Sequence, residues 1–567
     1  MSETKATEAI KNQVLSENLS KSKNFFESDL ILNDYLKRKL PESARGYMKD
    51  KWDEIGSAAA IVMDELSLDA DHNGPELIKR NNLGETIDEV KFHPSYDSLL
   101  QIAIDSEMFT VKWDQELKKK FQKDLHKLGF SSGYIYAMSE LGQYCPLCMT
   151  DGVARLIDLY CETSDKKRLL PTIATKSIED LSTGAMFLTE KSGGSDVGRN
   201  IVKANKIEGT DDLYELYGEK WFCSNVNADI IFALARTNEE VHGTRGLSIF
   251  LIEKYLPNGE KNPLPIVRLK DKLGVRSMAS AECLLDGTIG KRIGEEFKGF
   301  KIMTDMINLS RLYNSVAALS GARRALIEAY TFNLHRTSFG KQAINHALIR
   351  DKFFELGSLN VANFYLTWKA IECLDEADNG NEHAANLSRI LTPMVKKWSA
   401  EKAVYIVRES MELMGGMGYI EDGVMPKIMR DVMVLPIWEG AGNIMTLDML
   451  RASFKSEGLK AMLQEIRKTA SSNSEYSELI GSKLNKISSS AKGIANLERD
   501  EMELTAKHTF NELTTLYQLV ICINETNTNN KSWMNPTKRY LSMQLEGKKT
   551  DFLLSKEEVE GLIGWKI

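Results

Sequence analysis

The sequence lacks the features that mark a membrane or secreted protein. It contains no run of eighteen or more apolar residues, so we expect no transmembrane helix. Residues 1–24 are polar, carry acids throughout and have no apolar core. That composition is not typical of a secretory signal or a transit peptide. We expect a polar, loosely ordered leader.

Excess positive charge and paired cysteines are also missing. The net charge of −7 argues against a protein that binds nucleic acid over its whole surface. Seven cysteines, an odd number, do not predict a disulfide framework and fit a reducing cytoplasm. Cys145 and Cys148 form a CxxC, which alone could be a redox pair or half a zinc site. The chain has no second CxxC and no HxxxH, so we predict no metal site and favour buried structural thiols.

The texture of the chain predicts four regions. A chain of 567 residues is too long for one compact core. Helical spacing dominates up to about Ser182, short β-rich runs with Gly, Asn and Asp turns follow to about Gly290, and helical spacing then returns. The predicted regions are a leader with a helical domain at 1–181, a middle β domain at 182–290, a helical bundle at 291–453 and a helical extension at 454–567.

The order helix, strand, helix predicts an α+β multidomain protein. It differs from the alternating order of a doubly wound sheet. The glycines of "MGGMGY" follow no predicted strand and are not GxGxxG, so they do not indicate a Rossmann nucleotide site. We see no internal repeat of fixed period.

A single carboxylate stands out in "VLPIWEGAGNI", which contains Glu439 and no other charge. Burial beside Trp438 would raise the pKa of a carboxyl group, which suits a general base. Alternatively, Glu439 caps a helix that begins near Gly442 or is simply exposed at a turn.

"FLTEKSGGSDVG" couples a strand end to a glycine turn rich in hydroxyl groups. Exposed main-chain amides in such a turn, with Ser195, form a cradle for an anion such as pyrophosphate. Thr189, at the strand end, could bond the polar edge of a ring. A plain glycine-rich hairpin loop is the alternative.

"GEKWFCSN" places two aromatic residues beside a hydroxyl group. Strand alternation predicts Trp221 and Phe222 on opposite faces, with Phe222 and Ser224 sharing one face. A flat ligand could stack on Phe222 and bond to Ser224. The alternative is a strand with an ordinary aromatic core.

"LHRTSFGKQAINH" places Arg336 and Lys341 on either side of Phe339, where a helix gives way to a loop. Two cations beside an aromatic ring suit a planar ligand that carries phosphate. A solvated basic loop is the alternative.

Together these motifs resemble the acyl-CoA dehydrogenase family over about residues 85–451. The family pattern is met by "LTEKSGGSD", "GEKWFCSN", "RTSFGK", "GGMGY" and "MRDVMVLPIWEGAGNI". Four stretches resemble the AidB-like, adaptive-response branch of that family, which has an added C-terminal helical domain: "VKFHPSYDSLLQ", "CPLCMT", "EKWFCSN" and "IWEGAGNIMTLDMLR".

The resemblance implies a helical domain, a middle β barrel or sandwich, a four-helix bundle and an extra helical domain. It implies FAD bound between the β domain and the bundle and shared with a neighbouring subunit, hence a homotetramer, or at least a dimer. Thr189 and Ser224 would bond the edge of the flavin ring, and Ser195 would reach the pyrophosphate. Phe222 takes the place of a stacking Trp.

Other site residues carried over from the family lie in the helical regions. Arg336, Phe339 and the Gly415–Gly416 loop would contact the adenylate end from the second subunit. Asn443 stands where the family often has a Gln near the flavin. Arg311 would bind substrate as the retained arginine of the bundle.

Glu439 aligns with the catalytic base of the straight-chain branch. The α-proton of a thioester is weakly acidic, and its removal is matched to hydride departure from the β-carbon. A base on one face and the flavin on the other suit that geometry. The resemblance thus implies an FAD-dependent acyl-CoA dehydrogenase that acts on an acyl-CoA thioester and passes electrons to an electron-transferring flavoprotein or to oxygen.

The chain departs from the family pattern at four positions, which concern CoA placement and some flavin contacts. Asn308 replaces an Asp, Ala441 a hydroxyl residue and Ala347 a Gln. Glu412 replaces another flavin-contacting residue and would oppose a flavin phosphate unless it points away.

Two other functions are open. The AidB-like resemblance suggests a flavoprotein that binds and protects DNA, but residues 452–567 carry 16 Lys and Arg against 15 Asp and Glu. That near-neutral balance supports DNA binding only weakly, through local clusters such as "PTKRY". A fatty-acyl-binding protein with little turnover is the other alternative, and an intact Glu439 argues against it.

Overall fold

The computed structural model describes residues 22–472, 475–526, 532–550 and 552–567. Nearly all of the predicted leader, and part of the loop after Thr526, lie outside the described residues. The chain divides into two compact units. One contains the described residues up to Ile61, Ala137–Ser139 and those from Asn314 onwards, and the other contains Val62–Tyr136 and Glu140–Tyr313.

The helices are numbered here in chain order over the described residues. They are α1 Phe25–Ser28, α2 Leu30–Lys39, α3 Glu42–Ile61, α4 Met63–His72, α5 Pro94–Asp105, α6 Thr110–Trp113, α7 Gln115–Lys120, α8 Leu125–Ala137, α9 Tyr144–Tyr160, α10 Thr163–Ile173, α11 Gly299–His335, α12 Ala347–Asp378, α13 Glu382–Leu413, α14 Val424–Val432, α15 Gly442–Lys455, α16 Gly458–Ser472, α17 Ser477–Ile494, α18 Arg499–Thr526, α19 Met534–Glu546 and α20 Lys556–Ile563.

The strands are numbered in the same way. They are β1 Glu76–Arg80, β2 Thr86–Lys91, β3 Gly184–Phe187, β4 Lys203–Lys206, β5 Leu213–Ser224, β6 Ile230–Arg236, β7 Leu247–Glu253, β8 Ile266–Leu269, β9 Ser280–Ile293, β10 Thr337–Ser338 and β11 Lys341–Gln342.

The middle strands close on one another. Strands β6, β4, β5, β9 and β7 follow in that order, and β7 pairs with both β9 and β6. Strand β3 is added in parallel to β6, and β8 is added antiparallel to β9. Apolar side chains that include Phe187, Leu216, Phe250 and Ile252 form one buried core. Closure leaves few free strand edges, so the arrangement is a small barrel.

Long helices form the other unit. Helix α11 has 37 residues, and residues 311–330 are buried on every side, as expected for a helix at the centre of a large core. Helix α20 begins with a capping box of Ser555 and Glu558 and ends at Gly564, whose φ is 58°. The predicted fold class, α+β with several domains, is confirmed.

The N-terminal region is mostly helical, as predicted, but it also contains a hairpin that was not predicted. Strands β1 and β2 form an antiparallel hairpin. Its turn is closed by the Asn81 side chain, which accepts hydrogen bonds from the amides of Leu83 and Glu85 at 2.9 and 3.0 Å. An Asn side chain that bonds its own turn competes with helix formation.

The remaining features of the described residues concern membrane-spanning helices, disulfides and metal-binding clusters. No helix in the described ranges is long and apolar enough to cross a membrane. None of the seven cysteines, all of which are described residues, forms a disulfide, and Cys148 of the CxxC is buried in α9. Within the same described ranges, no group of three or more His, Cys, Asp or Glu side chains could hold a metal ion.

Candidate active site

In the barrel unit, hydrogen bonds from buried side chains fix the loop that follows β3. Glu190 is buried and accepts hydrogen bonds from Lys220 Nζ at 2.7 Å and from the amide of Ile201 at 2.6 Å. Burial lowers the pKa of Lys220, and the nearby Glu190 carboxylate opposes that shift. Arg236 donates to the carbonyl oxygens of Gly198 and Asn200, both at 2.6 Å. The loop therefore has a fixed shape.

That shape leaves the predicted anion cradle open. Gly194 and Ser195 are exposed. Among the described residues, their main-chain amides donate to no main-chain carbonyl. The carbonyl of Thr189 accepts a hydrogen bond from the amide of Trp221 at 2.9 Å, which fastens the end of β3 to β5. Thr189 and the residues of "GEKWFCSN" are thus brought together.

The predicted alternation of Trp221 and Phe222 is wrong. The register of β5 against β9 shifts between Lys220 and Cys223, which is a β-bulge, and a bulge breaks the two-residue period. The Lys270 ammonium lies 3.8 Å from the Trp221 ring centroid and 4.6 Å from that of Phe222. Both rings therefore contact the same cation, and Phe222 remains 56% exposed.

Ser224 lies beyond the bulge and is half-buried. Its hydroxyl is 3.1 Å from that of Ser280, and Lys272 Nζ reaches the same Ser280 hydroxyl at 3.4 Å. A hydroxyl held in such a chain keeps a defined direction.

Arg311 lies on α11 and is buried. Its guanidinium donates to Asn308 Oδ1 at 3.1 Å. The Asn that replaces the family's Asp is therefore still a hydrogen-bond acceptor for this arginine, although it carries no charge.

In the helical unit, the predicted cation–aromatic loop is a short hairpin. Strands β10 and β11 pair around Phe339 and Gly340, whose φ values are 48° and 79°. Two positive φ values are typical of a two-residue type I′ turn. The Phe339 side chain is 97% exposed, and Arg336 at the hairpin base is also exposed.

The glycine loop lies near the base of this hairpin. Asn333, at the end of α11, donates to the carbonyl of Leu413 at 3.0 Å, so the ends of α11 and α13 are adjacent. Gly415 and Gly416 follow α13 and are exposed. A Cβ built at either position meets no atom within 4 Å, which leaves space for a ligand to approach the main chain.

Glu439 lies in the turn between α14 and α15, and both it and Trp438 are half-buried. The N-cap residue of α15 is Ala441, so Glu439 is not the N-cap residue of this helix. The φ of Glu439 is 54° and that of Gly440 is 97°. A non-glycine residue in this left-handed region stores strain, and such strain is concentrated at functional sites.

A buried lysine braces this turn. Lys396 of α13 donates from Nζ to the carbonyl oxygens of Gly440 at 2.6 Å and Pro436 at 3.3 Å, and its side chain is buried. Asn314 donates to the carbonyl of Leu435 at 3.2 Å. The strained conformation at Glu439 is therefore fixed by the chain around it.

The remaining departures from the family pattern lie at the surface. Asn443, Ala441, Ala347 and Glu412 are exposed. Glu412 is paired with Arg408 at 2.8 Å. The Arg408 guanidinium partly offsets the negative charge of Glu412, which the sequence analysis expected to repel a flavin phosphate.

Sequence reasoning missed Glu190, Lys220 and Lys396. Glu190 and Lys220 stand within the motifs quoted for the site, and their opposite charges in β-rich apolar stretches were the available signal. Lys396 stands in the apolar stretch "LTPMVKKW". Charged residues are rarely buried unless paired or hydrogen-bonded, which was the only hint.

The exposed site residues fit a flavin dinucleotide. The open amides at Gly194 and Ser195 and the exposed Arg336 suit phosphate groups. The Phe222 and Phe339 rings offer apolar faces for planar rings. Within each unit, none of these side chains is blocked by burial.

Three family models match the chain. They are the adaptive response protein AidB N-terminal domain at residues 12–179, the acyl-CoA dehydrogenase middle domain at 185–288 and the acyl-CoA dehydrogenase C-terminal domain at 298–454.

Two relatives are similar over most of the chain. Acyl-CoA dehydrogenase family member 11 of Caenorhabditis elegans is 30% identical over 446 residues, which cover 77% of this chain and 72% of that protein. Putative acyl-CoA dehydrogenase AidB of Escherichia coli is 29% identical over 467 residues, which cover 81% of this chain and 83% of that protein.

Solved structures agree. Caenorhabditis elegans ACDH-11 in complex with C11-CoA matches with a TM-score of 0.83 and 26% identity over 93% of both chains. Acyl-CoA dehydrogenase complexed with FAD from Bacillus anthracis matches with a TM-score of 0.70 over 96% of this chain and 91% of that one, and at 17% identity it supports the fold alone. The chain belongs to the acyl-CoA dehydrogenase family of oxidoreductases, in its AidB-like branch.

Proposed function

We propose that this protein converts an acyl-CoA thioester into the trans-2-enoyl thioester, with Glu439 as the base and FAD as the cofactor. The observation that carries the proposal is the turn at Glu439. Glu439 has a strained main-chain conformation, and the buried Lys396 ammonium group donates to the carbonyl oxygen of the next residue, Gly440. Strain of this kind persists only where the surroundings impose it.

Glu439 takes the α-proton of the thioester in this proposal. Its carboxylate gains that proton, and the hydrogen on the β-carbon leaves as a hydride, so that one C–C single bond becomes a double bond. Bound FAD supplies the acceptor for the hydride. Lys396 is a positioning residue, because it fixes the turn and does not reach the reacting atoms through any contact described above.

Each unit contributes residues to the proposal. In the barrel unit, Ser195 and the amides of its loop would hold the pyrophosphate, Thr189 and Ser224 would bond the ring edge, Phe222 would pack on the ring and Arg311 would bind the substrate. In the helical unit, Asn443 would contact the flavin.

The hairpin implies a shared site. Arg336, Phe339 and the Gly415–Gly416 loop hold the adenylate end of a cofactor bound by a second copy of the chain, which requires at least a dimer and fits a homotetramer. Electron-transferring flavoprotein reoxidises the cofactor, and the protein works in the cytoplasm. Among the contacts described above, none favours DNA binding over this function.

The test is an anaerobic titration of the FAD-loaded protein with saturated acyl-CoAs of increasing chain length, with the visible absorbance of the flavin as the signal. We expect one range of chain lengths to bleach the flavin. Glu439→Gln should abolish the bleaching. Glu457→Gln, which removes an exposed carboxylate paired with Lys460, should leave it unchanged.

Two outcomes would overturn the proposal. In the first, no thioester bleaches a flavin that dithionite still reduces, and a binder without turnover would then take its place. In the second, Glu439→Gln bleaches at the wild-type rate, which would remove Glu439 from the base role.

A further inference from the structure

A cavity lies in the barrel unit, between the β1–β2 hairpin and strands β6, β7 and β8. Its volume is about 540 Å³, within the range of small-molecule sites. Its walls come from residues 86–92, 226–231 and 252–266. None of the residues assigned to the proposed active site lines it.

The hairpin that covers the cavity is fastened by specific bonds. Lys79 Nζ donates to the carbonyl of Ile266 at 2.5 Å, and Asp88 Oδ2 accepts from the amide of Ile266 at 3.0 Å. Lys261 Nζ donates to the carbonyl of Ile87 at 2.5 Å. These bonds make the hairpin a built wall of the cavity.

One part of the cavity is apolar. Ile231 and Ile252 come from the barrel, Leu264 from the segment before β8, and Val90 and Phe92 from the hairpin and the residues after it. Val90 and Phe92 belong to "VKFHPSYDSLLQ", a stretch that the proposed active site does not use. A hydrocarbon tail would gain from contact with this wall.

The other part of the cavity is polar and holds two lysines. Lys254 Nζ donates to the carbonyl of Asn227 at 3.3 Å and lies 3.7 Å from Asp229. Besides Ile87, Lys261 donates to the carbonyl of Asp88 at 3.2 Å. Burial and the charge of Lys254 lower the pKa of Lys261. An anion placed here would offset the repulsion between the two ammonium groups and favour their charged forms.

Two of the three carboxylates in the lining have cationic partners, and the third, Glu89, is exposed. Asp88 lies 2.5 Å from Lys79, and Glu253 lies 2.6 Å from Arg168. Asn227 Oδ1 is buried and has no hydrogen-bond partner among the described residues. A half-turn of this amide would present its NH₂ group instead, which could donate to a ligand oxygen.

We propose that this cavity binds a small amphiphile with one carboxylate head and a hydrocarbon tail, at a site separate from the active site. The carboxylate pairs with Lys254 and Lys261 and accepts a hydrogen bond from Asn227, and the tail lies on the apolar wall. A cationic head is repelled by the two lysines. A doubly charged phosphate is disfavoured by Glu89, the third carboxylate of the lining.

The experiment is isothermal titration calorimetry on the full chain with octanoate, 1-octanol and octylamine. We expect octanoate to bind at least tenfold more tightly than the other two. Binding should tighten roughly three- to fourfold per added methylene from hexanoate upwards until the tail fills the wall. Lys261→Met and Lys254→Met should each weaken octanoate binding tenfold or more.

Lys206→Met, an exposed lysine of β4, is the matched control and should bind octanoate as the wild type does. Because Lys261 also fastens the hairpin, hydrogen exchange of the unmodified protein provides a second measurement. Octanoate should slow exchange in residues 86–92 and 252–264.

The proposal is wrong if octanoate fails to bind, or if octylamine binds equally well. It is also wrong if exchange slows elsewhere and not in these segments. Displacement of octanoate by saturating acyl-CoA, or loss of binding in Glu439→Gln, would place octanoate in the active site instead. These outcomes are independent of the proposed dehydrogenase activity.

Discussion

Glu439 has a main-chain conformation that suits glycine better than glutamate, since its φ is 54°. The left-handed region costs a non-glycine residue about 1–2 kcal/mol. Glycine avoids this cost but adds freedom to the unfolded chain, worth about 0.4–1 kcal/mol. We therefore expect Glu439→Gly to unfold in denaturant at nearly the wild-type midpoint while losing bleaching by acyl-CoA.

The neighbouring glycine provides the contrast. Gly440 has a φ of 97°, and a Cβ there would lie 2.6 Å from Met445 Cε. Gly440→Ala should destabilise the protein by about 1–3 kcal/mol, because strain and overlap add. If Glu439→Gly destabilised the protein as much as Gly440→Ala does, the positive φ at residue 439 would not cost the wild type any measurable stability.

Although Lys396 is 43 residues before Glu439 in the sequence, its substitution should lower the activity. Lys396→Met removes the donor to the Gly440 and Pro436 carbonyl oxygens. Buried acceptors left unsatisfied cost about 1–3 kcal/mol each. We expect a loss of stability in that range and a drop in kcat, measured by stopped-flow reduction of the flavin, with FAD affinity unchanged.

The neighbouring lysine gives the control for that prediction. Lys397 is paired with Glu401 at 3.1 Å and donates to Asn511 Oδ1 at 3.0 Å, and neither of these partners lies in the turn. Lys397→Met should leave kcat near the wild-type value. Equal kcat losses in the two variants would show that general damage to α13, and not the brace, lowers the rate.

The tip of the β10–β11 hairpin should contribute little to the folding stability of a single copy of the chain. Because Phe339 is 97% exposed, Phe339→Ala should leave the denaturant midpoint of an isolated copy unchanged. If the hairpin serves a second copy, the same variant should weaken FAD affinity, measured by flavin fluorescence, and shift the oligomer towards smaller species in light scattering.

Leu83 is the matched control for Phe339. It is 84% exposed at the turn of the other hairpin, so Leu83→Ala removes a similar apolar side chain from a similar position. FAD affinity should not change in this variant. A Phe339→Ala protein with wild-type FAD affinity and wild-type mass would contradict the shared site.

The stability of the contacts between α16 and its neighbours in the helical unit should depend on pH, through Glu465. Glu465 accepts a hydrogen bond from the Tyr517 hydroxyl at 2.5 Å and lies 3.1 Å from His383 Nε2 and 3.5 Å from Lys369 Nζ. Burial opposes ionisation, but the Lys369 charge and these hydrogen bonds keep the pKa of Glu465 below its usual value.

A lowered carboxyl pKa stabilises the folded state above the unfolded pKa of about 4.3, and that stability is lost as the pH falls through the folded value. Glu465→Gln should therefore be less stable than the wild type at pH 7 and should lose less stability between pH 5 and pH 3, in urea titrations. Glu457→Gln, on an exposed carboxylate paired with Lys460, should follow the wild-type curve. Parallel curves for Glu465→Gln and the wild type would contradict this assignment.

Element types were predicted well where the periodicity was long, and poorly where a local detail decided the outcome. The helical spacing that returns after about Gly290 predicted α11. The β1–β2 hairpin was missed because two short strands in a helical region give little period to detect. The bulge at Trp221 and Phe222 was missed because a one-residue insertion leaves no mark in the pattern of a single strand.

At the scale of the whole molecule, the order of the regions and the family followed from motif spacing. The contacts that hold the site did not, because Lys396 and Gly440, or Glu190 and Lys220, are brought together only by tertiary packing. The assembly state and the relation of the two units to one another stay predictions for the same reason.

Residues distant in sequence are also joined by one buried ion pair in the helical unit. Arg323 of α11 lies 3.1 Å from Asp29 and donates to the carbonyl of Ile563 at 2.6 Å. The amide of Leu30 donates to the carbonyl of Gly564 at 3.1 Å. Because Asp29 also caps α2, this clasp joins α2, α11 and α20.

Loss of the clasp should be costly. Arg323→Met leaves the Asp29 carboxylate buried without its cation, which costs about 3–5 kcal/mol, and we expect a matching fall in stability in urea titrations. Adding Asp29→Asn, which keeps an oxygen for the cap, should recover part of it, because the two residues interact directly. Arg451→Met, which removes an exposed partner of Asp448 at 3.7 Å, should cost less than about 1 kcal/mol. Equal losses for Arg323→Met and Arg451→Met would mean that the clasp adds no more than a surface pair.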